Sequence, residues 1–74
     1  MSIIHEGTLK GSFRGFKDRD TVFEFTDGSM WKQNEYKYNY HYSYRPQAKI
    51  VERNSRYFIE VDGMNDTVEV VKIK

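Results

Sequence analysis

Seventy-four residues make a single domain, 1–74, and at that size only about 60% of the unfolded chain's surface can be buried. The absence of cysteine excludes disulfide staples, thiolate nucleophiles and cysteine-ligated metal. The formal net charge of +1 is segregated: residues 32–56 hold six basic side chains against two acidic ones, while both flanks are slightly acidic, short of the whole-domain basicity usual for nucleic-acid binders.

The N-terminal residues Met-Ser-Ile-Ile-His-Glu-Gly show no basic region followed by an apolar run, and no apolar stretch approaches the roughly 18 residues of a membrane helix. The expectation is a soluble, cytoplasmic protein. Residues 3–14 carry Leu9 and Phe13, with Gly7, Gly11 and Gly15 spaced at intervals that predict a bent or bulged first strand. Lys17-Asp18-Arg19-Asp20 reads as a charged loop. Residues 21–26 form a second strand, and Asp27-Gly28 is a strong hairpin signal. A third strand runs over 29–45, broken near Asn34-Glu35 and ended by Pro46, which removes a ladder donor. Residues 48–53, 57–62 and 67–73 are three more strands, with turns at Asn54-Ser55 and at Gly63-Met64-Asn65-Asp66.

No segment repeats apolar residues at helical spacing over ten residues. Five or six antiparallel strands joined by tight turns predict an all-β domain, specifically a small SH3-like barrel, with an OB-like barrel as the alternative.

The third strand contains Tyr36, Tyr38, Tyr40, Tyr42 and Tyr44 in strict alternation with Lys37, Asn39, His41 and Ser43. In an extended chain the five rings share one face. Burying Lys37, Asn39 and His41 without partners would cost about 1–3 kcal/mol for each neutral group and more for the charge. The tyrosine face is therefore expected inward, with Tyr40 central and Tyr36 and Tyr44 at the rims. A two-residue turn at Asp27-Gly28 would place Trp31 on the side of Glu24, opposite Phe23 and Phe25, and so toward solvent.

Phe13-Arg14-Gly15-Phe16, Asp20-Thr21-Val22-Phe23, Asp27-Gly28-Ser29-Met30-Trp31 and the run from Tyr36 to Pro46 resemble a group of small bacterial all-β domains of unassigned function. The resemblance covers residues 13–46. It implies a small domain that stands alone or is appended to larger proteins, and it brings no functional residues.

Other constellations carry little chemistry. His5 and His41 lie in different elements with no short-spaced ligand partner, so no metal or other cofactor is expected. Gly7-Thr8-Leu9-Lys10-Gly11-Ser12 lacks the Gly-Lys-Ser/Thr ending and following helix of a phosphate loop. No nucleophile elbow is present, and the chain is read as a non-enzyme. The expectation is a non-catalytic protein-interaction domain, self-associating or binding another protein. The alternative is a nucleic-acid-binding module using the basic middle segment. In either case the expected surface is Trp31, Lys37, His41 and Arg45.

Overall fold

The computed structural model describes residues 2–74. It contains eight strands: β1 (Ser2–Thr8), β2 (Ser12–Phe13), β3 (Val22–Glu24), β4 (Met30–Gln33), β5 (Ser43–Tyr44), β6 (Gln47–Arg53), β7 (Arg56–Val61) and β8 (Thr67–Lys72). Six form one antiparallel sheet in the order β1-β6-β7-β8-β4-β3, and β2 pairs with β5. The all-β expectation holds. Among the described residues there is no helix, and hence none long and apolar enough to cross a membrane.

The bend expected in the first segment falls at Gly11, where φ is +72°, and divides β1 from β2. Just before it, β1 runs on into Leu9, which bridges Phe25. Hydrogen bonds from the Lys10 amide to the Glu24 carbonyl (2.8 Å) and from the Thr26 amide to the Thr8 carbonyl (2.9 Å) tie the two outermost strands of the sheet together at this end. At the β6–β7 hairpin, Asn54 and Ser55 both take positive φ, 54° and 66°, the conformation that lets a two-residue turn follow the strand twist.

The β3–β4 hairpin corrects the placement of Trp31. The Phe25 amide donates to the Ser29 carbonyl, and Gly28 sits at φ +95°, so three residues rather than two occupy the loop. Trp31 consequently pairs with Phe23, and Met30 with Glu24. A shift of one residue moves every side chain to the opposite face. Trp31 therefore points into the core, 3% exposed, with Tyr57 edge-on at 5.6 Å and the Lys72 ammonium 5.3 Å from its ring.

The core is built from phenylalanine, Trp31 and aliphatic residues, not from the tyrosine row. Phe13, Phe16 and Phe23 pack with centroids about 6 Å apart, the Phe16 ring edge-on to both others, and Leu9, Phe25, Ile50, Ile59, Val61, Val68 and Val70 complete the interior. The expectation that the tyrosine face points inward is overturned. All five rings of the row are exposed, from 52% at Tyr42 to 77% at Tyr36, and Tyr40 is 57% exposed. The long third strand also dissolves between β4 and β5: residues 34–42 make one isolated bridge, Asn39 to Phe16, and otherwise no ladder.

Candidate functional site

The tyrosine row faces solvent because the residues alternating with it find partners on the protein. Gln33, buried at 1% exposure, anchors the start of the segment. Its Nε2 donates to the carbonyls of Glu35 (2.9 Å) and Lys37 (3.0 Å), and its Oε1 accepts the Lys17 amide (3.2 Å). Glu35 Oε1 accepts the amide of Glu69 (2.8 Å). Lys37 Nζ donates to Thr67's carbonyl (2.7 Å) and to the Asp66 carboxylate (3.2 Å). The Asn39 backbone exchanges two hydrogen bonds with Phe16, at 2.9 and 3.0 Å. The His41 ring lies against Gly63, where a Cβ would come within 2.9 Å of its Nε2. Ser43 pairs with Phe13. The Lys37 ammonium is paired, Asn39 stays exposed and is held through its backbone, and the penalty expected for burying the alternating residues therefore does not arise, so the choice of face turns over.

Of the four residues expected to form the surface, only Arg45 stands beside the row in solvent. Its φ of 49° and its amide bond to Gly11 end the extended run. Lys37 and His41 are half-buried on the anchoring side, and Trp31 is in the core. Two cations come from another element. Phe13 is buried opposite Ser43, so Ser12 and Arg14 lie on the face of Tyr44 and Tyr42. Lys17 follows buried Phe16, the partner of Asn39, and falls on the same outer side. Arg14, Lys17 and Arg45 are exposed and form no ion pair among the described residues. The other basic groups of residues 32–56 are dispersed: Lys32 pairs with Asp20, Lys37 with Asp66, and Arg53 lies over Phe58.

The Lys37–Asp66 contact is a pH-dependent tether. Burial pushes the Asp66 carboxyl upward, but hydrogen bonds from Lys37 and from the Thr67 amide outweigh it and hold the group below the ordinary aspartate value of 3.8. A depressed carboxyl stabilises the fold above its unfolded-state value, and that contribution is lost as pH falls through the folded value. With Asp66 well exposed, the contribution is small, within about 1 kcal/mol. A carboxyl-detected NMR titration should place the Asp66 midpoint below 3.8, and Lys37→Met should move it upward. An unchanged midpoint in that variant would mean that Lys37 does not set it.

A second polar cluster brings Ser29, His5 and Asp27 together. Ser29 Oγ donates to Asp27 Oδ1 (2.8 Å), and His5 Nε2 lies 3.2 Å from both Ser29 Oγ and Asp27 Oδ2. A nucleophilic relay needs the carboxylate on the imidazole nitrogen opposite the hydroxyl. Here both meet the same nitrogen, while Asp27 Oδ1 also accepts the Ser29 amide (2.9 Å). These two Ser29 bonds lower the Asp27 carboxyl, and the cluster secures the β3–β4 turn. An open groove of about 460 Å³ between Glu6, Lys49, Glu60, Asp62 and Met64 has mixed charge. Among the described residues no three His, Asp or Glu side chains converge to hold a metal ion.

Comparison with protein-family models, with curated proteins and with solved structures finds no match to this chain.

Proposed function

We propose that the chain is a non-catalytic protein-interaction domain whose contact surface is the tyrosine row from Tyr36 to Tyr44, flanked by Arg14, Lys17 and Arg45. The observation that carries this reading is the anchored exposure of five rings in a row, each more than half open to solvent. An aromatic patch of this kind is the sort that marks an interaction site on a soluble protein. Tyrosine and arginine are enriched among the residues that dominate binding energy, because a ring supplies large contact area with little side-chain entropy to lose. The segment's polar anchors hold the rings in place before any partner arrives, which lowers the ordering cost of association. The three unpaired cations favour an acidic partner. The tie between β1 and β3 supports reading the scaffold as an SH3-like barrel.

Selection from a displayed random-peptide library tests the proposal, with counter-selection against a Tyr38→Ser, Tyr40→Ser, Tyr42→Ser variant. The expected outcome is a set of peptides, enriched in Asp and Glu, that bind the parent chain and not the variant. Failure to recover such peptides overturns the reading.

A second reading, as a single-strand nucleic-acid binder, is favoured by three exposed cations, Arg14, Lys17 and Arg45, on the row and on the segment that pairs with it, next to exposed rings on which bases would stack. Titrating labelled oligonucleotides separates the two, since phosphate contacts weaken steeply with salt.

A further inference from the structure

An open cleft of about 280 Å³ lies between β2 and β3, on the far side of the segment that carries the tyrosine row. It exists because two segments part. The Lys10 amide bonds the Glu24 carbonyl of β3, and Gly11, at φ +72°, then turns the chain away. Ser12 and Phe13 pair with β5 instead. Farther along, the Lys17 amide is held by the side chain of buried Gln33, so the diverging wall is fixed at both ends.

The lining is cationic on one side and apolar on the other. Arg14 and Lys17 line it together with Ser12, and Val22, 42% exposed, faces them above buried Phe13 and Phe23. No carboxylate lines it. The acidic groups nearest in sequence are engaged elsewhere. Asp18 Oδ1 accepts the Asp20 amide (3.0 Å) and the Thr21 hydroxyl (3.4 Å), Asp20 faces Lys32 (3.8 Å), and Glu24 faces Lys10 (3.7 Å). Arg14 and Lys17 form no ion pair among the described residues.

Two uncompensated cations and a hydroxyl match a dianion better than a single carboxylate, which would balance only one of them. A phosphate monoester carries about −1.5 to −2 at pH 7, with three acceptor oxygens. The arginine fork meets two of them and the lysine ammonium a third. The apolar wall at Val22 calls for an apolar carrier, and the volume is close to the roughly 300 Å³ at which small-molecule pockets begin. An aromatic ring fills that space where the single methylene of a phosphoserine would not. We infer that the cleft receives the phosphorylated tyrosine side chain of a partner protein. The inference rests on the protein-interaction reading and names the group that the partner offers.

Titration of the amide NMR spectrum with phenyl phosphate at fixed ionic strength tests it. Saturable shifts are expected at Ser12, Arg14, Lys17 and Val22, with inorganic phosphate and phenol each binding at least about tenfold more weakly. Arg14→Ala and Lys17→Ala should each weaken phenyl phosphate by about tenfold or more, the loss typical of a charge-assisted hydrogen bond. Both side chains are exposed, so the variants should keep the parent's circular-dichroism spectrum. The Tyr38→Ser, Tyr40→Ser, Tyr42→Ser variant should still bind phenyl phosphate. If the displayed library yields ligands but phenyl phosphate produces no saturable shifts, this inference is overturned and the interaction surface stands. Equal affinity for inorganic phosphate overturns it too, as does binding that survives the Arg14→Ala, Lys17→Ala double variant. A single-stranded oligonucleotide that displaces a phosphotyrosine peptide from these residues at lower concentration would assign the cleft to phosphodiesters instead.

Discussion

Replacing Phe16 with alanine is expected to remove most of the domain's stability, whereas the same truncation at Tyr40 should be close to neutral. Phe16 has no exposed surface and packs edge-on against Phe13 and Phe23. Removing a buried phenylalanine costs about 3–5 kcal/mol, because the lost transfer energy is compounded by an unfilled cavity. A domain of this size has total stability near the lower end of about 5–15 kcal/mol, so that loss removes most of it. Tyr40 is 57% exposed, and its ring is in no aromatic contact with the core. An exposed substitution of this kind moves stability by about 0.5 kcal/mol. Urea denaturation of both variants decides the matter. Equal losses at the two positions would mean that the aromatic core has been assigned to the wrong residues.

That contrast marks where the amino-acid sequence is legible and where it is not. Alternation over residues 36–44 shows that the five rings share a face, and this survives in the fold. Polarity alone does not reveal which way the face points. The partners that make Lys37 acceptable on the inner side are Asp66 and Thr67, and the Phe16 backbone that holds the Asn39 backbone is equally remote, all more than twenty positions away. A local reading sees an unpaired ammonium where the folded chain has a satisfied one.

One signal was available. Phe13, Phe16, Phe23 and Phe25, together with Leu9 and isoleucines and valines from residues 50–70, are enough to form one contiguous buried cluster without any tyrosine of the row. The five additional tyrosines, each bringing a hydroxyl to satisfy, were not needed there. Trp31 went astray for a different reason. The Asp-Gly pair locates the turn correctly, but whether two or three residues occupy it depends on Gly28's conformation and on the bonds of Asp27 to Ser29. A single residue of register separates core from surface there.

Gly15→Ala is expected to have the second large effect, by pushing the tyrosine segment off its support. Gly15 has φ +92° and lies against the backbone of the row. A Cβ built on it would overlap the Asn39 carbonyl oxygen and come within 2.7 Å of the His41 amide nitrogen and 2.9 Å of Tyr40 Cα. These are main-chain atoms, which cannot swing aside as a flexible side chain would. Gly28 is the matched control, since its φ is nearly the same, +95°, but nothing lies within 4 Å of its added Cβ. Gly28→Ala should therefore cost only the left-handed backbone penalty, about 1–2 kcal/mol. Gly15→Ala carries the same penalty plus the collision, and its cost should exceed about 4 kcal/mol, the range reserved for gross steric or packing faults. If the variant keeps a folded core by releasing the segment, the two Asn39–Phe16 hydrogen bonds should be lost first, and exchange of the Asn39 and Phe16 amides should accelerate to that of an open chain. Thermal melts and amide exchange on the two glycine variants read both outcomes. Equal melting temperatures for Gly15→Ala and Gly28→Ala would show that the row does not rest on Gly15.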